Sequence, residues 1–180
     1  KNFSRFVSDR DCVAVNSGTS GLVTAVMSLG IGQGDEVIVP SFTFAASANS
    51  IALSGAKPVF IDINPRTFNI DFSLIESLVN PKTKAIMAVH TYGLPVDMDV
   101  LEELAKRHNL VIIEDAAESH GLFYKGKRCG SFGLVSTFSF YANKHLTTGE
   151  GGMVVTDDDS LAQKLRYYRN LTFRPENRFV

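Results

Sequence analysis

The chain of 180 residues contains no tryptophan, only two cysteines, and no apolar run long enough to cross a membrane. Cys12 and Cys129 stand far apart and lack metal-ligand spacing, so they indicate neither a disulfide framework nor a metal cluster. Both read as free thiols in a reducing compartment. An excess of either charge is missing too: 18 basic and 19 acidic residues are interleaved to a net charge of −1. That balance gives no basic stripe for nucleic acid and no acidic solvating tail. The chain opens at Lys1 without a charged-then-apolar leader, so no secretion signal is read and cytoplasm is the expected location. The partners left open are small molecules or a second copy of the chain.

Short apolar runs alternate with amphipathic stretches along the whole length, which predicts one α/β domain over residues 1–180. Strands are expected at Glu36–Val39, Pro58–Ile61, Lys84–Val89, Leu110–Ile113, Val135–Phe140 and Gly152–Thr156. Several are apolar almost without interruption, as strands covered on both faces are, so the sheet should be mostly parallel. Helices are expected at Thr19–Leu29, Ala45–Leu53, Phe72–Leu78, Met98–Arg107 and Ser160–Arg169, with Asp71 and Asp97 as N-caps. Right-handed crossovers would set helices on both faces. The last stretch, Leu171–Val180, shows no turn, cap or closing element and reads as an interrupted sequence.

In an open parallel sheet, ligands bind beyond the carboxyl ends of the strands. Three such junctions carry unusual chemistry. Asn16-Ser17-Gly18-Thr19-Ser20-Gly21 runs into a helix, and its glycines permit close backbone approach while the helix amides face an anion. It could equally be a helix entry whose Ser and Thr act only as caps. Val111-Ile112-Ile113 ends on Glu114 and Asp115, carboxylates that destabilise a strand end unless something pairs with them. An Asp there can hold a protonated heterocyclic nitrogen cationic, or can serve as a cap or structural ion pair. Ser139 to Gly152 places Lys144 in a Gly/Thr-rich loop after a strand. Such a lysine is either solvated or a Schiff-base amine whose pKa is lowered by burial and a nearby cation.

These three junctions, together with Gly34-Asp35-Glu36-Val37-Ile38-Val39-Pro40, Thr43-Phe44, Gly55-Ala56-Lys57-Pro58-Val59, His90-Thr91-Tyr92-Gly93, Asp97-Met98-Asp99 and Glu114 to Gly121, closely resemble the DegT/DnrJ/EryC1/StrS sugar aminotransferases. The resemblance implies the aspartate-aminotransferase type I fold with pyridoxal 5'-phosphate as cofactor. It implies that the chain is the large, cofactor-binding domain, incomplete, with the C-terminal small domain absent. Lys144 matches the lysine that binds the cofactor and moves the proton, and Asp115 the residue paired with the pyridine nitrogen. Thr19, Ser20 and Ser139 match phosphate-holding residues, Phe44 the aromatic that stacks on the ring, and Glu118 a cofactor-side position.

Asn143-Lys144-x-x-Thr147-Thr148-Gly149-Glu150-Gly151-Gly152 further resembles members that aminate carbon four of a nucleotide-linked keto-deoxyhexose. The implied reaction takes an amino group from an amino-acid donor, usually glutamate, and delivers it to the 4-keto sugar. A homodimer sharing two sites is the corresponding expectation. Amination at carbon three, or dehydration by relatives whose lysine is replaced by His, is the alternative chemistry, and a non-catalytic cofactor-binding domain the alternative class. Lys144 speaks against dehydration. Gly121 to Lys127 has P-loop spacing, but Arg128 follows where Ser or Thr is needed. No pair among His90, His108, His120 and His145 has metal-ligand spacing, so no metal is expected.

Overall fold

A computed structural model of the chain describes residues 2–173. In chain order the elements are α1 (Asn2–Phe6), β1 (Asp11–Val15), α2 (Gly18–Ser28), β2 (Glu36–Pro40), α3 (Ala45–Leu53), β3 (Lys57–Ile61), α4 (Ile75–Leu78), β4 (Thr83–Val89), α5 (Met98–Arg107), β5 (Val111–Asp115), β6 (Phe123–Tyr124), β7 (Lys127–Arg128), β8 (Val135–Ser139), β9 (Gly152–Thr156) and α6 (Asp159–Arg169). Among the described residues, seven strands form one sheet in the order β1-β9-β8-β5-β4-β2-β3. The pairs β2–β3, β2–β4, β4–β5 and β5–β8 are parallel, while β9 runs antiparallel to β8 and to β1. One reversed strand therefore interrupts an otherwise parallel sheet, as the apolar runs led us to expect.

Alternation along the strands sets the layers, because successive side chains point to opposite faces. Val37, Val39, Ala85, Met87 and Ile113 pack with Leu22 and Val26 of α2, Ile51 of α3, and Leu161 and Leu165 of α6. Ile38, Ile86, Ala88 and Ile112 face the other way, onto Ile75 and onto Met98, Leu101 and Leu104 of α5. Each fully buried Leu or Ile contributes about 1.5–3 kcal/mol of transfer free energy, so the two layers together hold the sheet. Asp71 and Asp97 cap as expected, accepting from the amides of Ser73 and Val100, and Asp158 caps α6 by accepting from Leu161.

Four features depart from expectation. Strand β1 and helix α1 were not read from the sequence. The helix expected at Phe72–Leu78 is a 3-10 turn, Phe72–Leu74, followed by a single α turn that ends in extended backbone at Val79, ahead of the Asn80-Pro81 step that disfavours helix. The segment with P-loop spacing forms the β6–β7 hairpin, closed by Lys125 and Gly126 at φ 46° and 84°, a turn with two left-handed central residues. The Leu171–Val180 stretch does contain a turn at its start: the amides of Leu171 and Thr172 donate to the carbonyls of Tyr168 and Tyr167, both residues at positive φ. Residues 174–180 lie outside the described residues.

Candidate active site

At the carboxyl ends of β4, β5 and β8, a cavity of about 410 Å³ opens beside the N-terminus of α2. That volume suits a cofactor-sized ligand. Thr19, Phe44, Asp115, Glu118, Ser139 and Lys144 all line it, so residues spread over most of the chain meet in one place. Ser20 does not. Its hydroxyl accepts from the Ser17 amide at 3.2 Å and donates to the Ser17 carbonyl at 2.9 Å, while the Ser20 amide donates to Ser17 Oγ at 3.1 Å. This capping box engages Ser20 with the helix itself and leaves Ser17 on the cavity wall.

Two glycines bring the helix entry onto the sheet. A Cβ at Gly18 would lie 2.8 Å from Ser139 Cβ, and one at Gly152 would lie 2.7 Å from the Ser17 carbonyl oxygen and 2.9 Å from the Gly18 amide nitrogen. The second clash is with backbone, which cannot swing away. Gly152→Ala is therefore expected to lower stability by about 1–3 kcal/mol and to weaken binding of a phosphorylated ligand in the cavity. Thermal melting and equilibrium dialysis would check both.

The adjacent carboxylates at the end of β5 point to opposite faces and do different work. Glu114, fully buried, accepts from the amides of Gly130 (2.7 Å), Phe132 (2.7 Å) and Gly133 (2.6 Å), and lies 3.0 Å from His90 Nε2. The Val96 amide donates to His90 Nδ1, so Nε2 carries the ring proton and donates to Glu114. Burial pushes the Glu114 carboxyl up, but the His90 hydrogen bond and the Gly133 and Gly130 amides outweigh it and hold the group below its ordinary range. A carboxyl with a depressed folded-state pKa adds stability above its unfolded value, which is lost as pH falls through the folded one. Glu114→Gln should remove about 3 kcal/mol at neutral pH, by urea denaturation, with less loss on acidification than the wild type.

Asp115 faces the cavity. Its Oδ2 accepts from Ser47 Oγ at 2.7 Å and its Oδ1 from the Ala117 amide at 3.2 Å. Burial raises its pKa above the ordinary 3.8, against the pull of Ser47, Ala117 and the charge of Lys144. Lys144 is 17% exposed, and its Nζ lies 3.1 Å from Glu118 Oε1. The sequence led us to expect a cation beside this lysine; its ion-pair partner is instead a carboxylate. Glu118 Oε2 accepts from the Tyr92 amide at 2.7 Å, a residue held at φ 52°. Phe44, 80% exposed, stands at the N-terminus of α3 with its ring available to a flat ligand.

Ser47 and Tyr92 are the contributors that sequence reasoning missed. Ser47 falls four residues after Thr43 on a buried helical face shared with Ala46, Ser50 and Ile51, so its hydroxyl did not stand out from that of Ser50. Tyr92 acts through its backbone and left no signal.

Relatives carry the same arrangement of elements. The chain is 52% identical over 99% of its length to a GDP-perosamine synthase from Caulobacter vibrioides, of which it covers 48%. It is 47% identical over 93% of its length to a dTDP-3-amino-3,4,6-trideoxy-alpha-D-glucose transaminase from Streptomyces venezuelae, covering 45% of that protein. It thus spans about half the length of the curated relatives it matches. The crystal structure of S. venezuelae DesV in complex with a ketimine intermediate superposes with a TM-score of 0.93 at 45% identity, covering 99% of this chain and 48% of that one. A match that runs through residues 1–180, over a sheet and cavity of this form, means that the chain belongs to the DegT/DnrJ/EryC1/StrS aminotransferase family.

Proposed function

We propose that the full-length protein moves an amino group from an amino-acid donor, glutamate by preference, to a nucleotide-linked 4-keto-6-deoxyhexose, using pyridoxal phosphate held on Lys144. The observation that carries this reading is the meeting of Lys144, Glu118 and Asp115 in one cavity whose wall includes the N-terminus of α2 at Ser17, Gly18 and Thr19. On this reading residues 1–180 serve as the cofactor-binding large domain of a longer protein, and a small domain closing over substrate would lie outside them. Phe44 and Tyr92, both 80% exposed, support a homodimer in which a second subunit covers the site.

The residues fit the cofactor. Ser17, Thr19 and Ser139 with the first amides of α2 make a cradle for a dianionic phosphate, kept close by Gly18 and Gly152. Asp115 uses two of the roughly four lone-pair positions of its carboxylate, which leaves room for a protonated ring nitrogen. Phe44, which lines the cavity, would stack on the ring. When bound, the cofactor supplies an electron sink for charge developed at the substrate carbon. Lys144 would hold the group through its Nζ, and the same amine would hold and move a proton there. Glu118 holds the Lys144 amine in place between turnovers, and the Tyr92 amide holds Glu118.

The loop from Asn143 to Gly152 supports carbon four as the site of amination. Amination at carbon three is the second reading, favoured by the transaminase relative named for a 3-amino sugar. Incubation of the full-length protein with pyridoxal phosphate, reduction by borohydride and peptide mapping by mass spectrometry tests the cofactor assignment. Label on Lys144 is expected, and label elsewhere or none removes the reading. Product analysis with 4-keto and 3-keto sugar nucleotides then separates the two positions.

A further inference from the structure

Behind Asp115 lies a short hydrogen-bonded chain that the proposed function leaves without a role. Ser47, in the first turn of α3, has a fully buried side chain, and its Oγ lies 2.7 Å from Asp115 Oδ2 and 2.8 Å from Thr43 Oγ1. Counting protons fixes the direction. An ionised carboxylate only accepts, so Ser47 gives its single proton to Asp115, and Thr43 must then donate to Ser47. The positive end of the nine-residue α3 dipole arrives with the same hydroxyl. All of these donors are neutral groups or partial charges. A full cation at this position would compete with a ligand for the Asp115 charge, whereas hydroxyls orient the carboxylate and leave its charge in place.

We infer that Ser47, backed by Thr43, is a positioning residue that keeps Asp115 ionised and fixed so that it pairs with a protonated heterocyclic nitrogen in the cavity. The inference rests on the cofactor reading above. Without the Ser47 hydroxyl, Asp115 keeps only the Ala117 amide as a hydrogen-bond donor among the described residues, and burial then favours its neutral form. A neutral Asp115 cannot stabilise a charged ring nitrogen, although the cavity and Lys144 remain.

The test uses the full-length protein loaded with pyridoxal phosphate labelled with ¹⁵N in the ring, comparing wild type, Ser47→Ala, Ser47→Thr and Thr43→Val. The readouts are the ¹⁵N chemical shift, which reports protonation of the ring nitrogen, and cofactor affinity by equilibrium dialysis. Ser47→Ala is expected to move the shift toward the neutral ring and to weaken affinity roughly tenfold, the loss of one hydrogen bond to a charged group. Ser47→Thr, which keeps the hydroxyl, should stay near wild type, and Thr43→Val, which leaves Ser47 able to donate, should fall between. Wild-type shift and affinity in both Ser47→Ala and Thr43→Val overturn the inference while the cofactor reading stands. Failure of the wild type itself to take up pyridoxal phosphate overturns both.

Discussion

Under the proposed function, Lys144→Ala is expected to lower transamination by the full-length protein on the order of 10⁴-fold or more, since one amine would provide both covalent attachment and proton transfer. The same change should alter stability little. Lys144 and Glu118 are both partly exposed, at 17% and 34%, and an ion pair open to water contributes about 1 kcal/mol or less. Glu118 also keeps its hydrogen bond from the Tyr92 amide, so no carboxylate is stranded. Steady-state assay beside thermal melting checks the two halves of this expectation. A large drop in melting temperature would recast Lys144 as a structural residue. An activity loss that added methylamine partly restores would point to the missing amine itself.

Asp115→Asn should produce two effects of opposite sign. Transamination is expected to fall on the order of 10³-fold, because the amide cannot counter a charged ring nitrogen in a buried site. The unloaded protein, however, should gain stability at neutral pH. Burial raises the Asp115 pKa, so its protonated form suits the fold better than its ionised form. A carboxyl shifted upward contributes stability that is intact below its unfolded value near 3.8 and is lost as pH rises through the folded value. Asparagine stays neutral throughout, and its side-chain oxygen can still accept from Ser47. Melting curves of unloaded wild type and Asp115→Asn should therefore converge on acidification and separate toward neutral pH. Equal curves at every pH would show that the wild-type carboxylate is already fully compensated by its donors.

The sequence was most legible where one physical signal dominated. Uninterrupted apolar runs marked the interior strands, and the Asp71 and Asp97 caps sat where short polar acceptors belong. The junctions that carry Asp115 and Lys144 could be read because a carboxylate or an amine at a strand end needs a reason to be there. Strand β1 was not legible, since its partner β9 lies at the far end of the chain and its five residues begin with a charged Asp11. Ser20 shows a different limit. Composition places a hydroxyl at the helix entry, but only the backbone geometry decides whether that hydroxyl faces a ligand or closes a capping box. The Ser47 hydroxyl was hidden for a related reason, because its partner Asp115 is distant in sequence and joined to it only by the fold.

The reversed strand β9 also sets an order of events during synthesis. Among the described residues β1 pairs with β9 alone, and Gly152, the first residue of β9, is one surface against which Ser17 and Gly18 rest. Until Gly152–Thr156 has left the ribosome, β1 has no strand to join, and the entry of α2 keeps its contact of Gly18 with Ser139 but lacks the Gly152 side of its seat. The closure spans nearly the whole described chain and so is among the slowest kinds of contact to form. A nascent chain that stops short of β9 presents β1 with its backbone groups unpaired, a template for association with other chains. Loading of the cradle must accordingly follow folding, and a chain cut just before Gly152 should aggregate rather than bind.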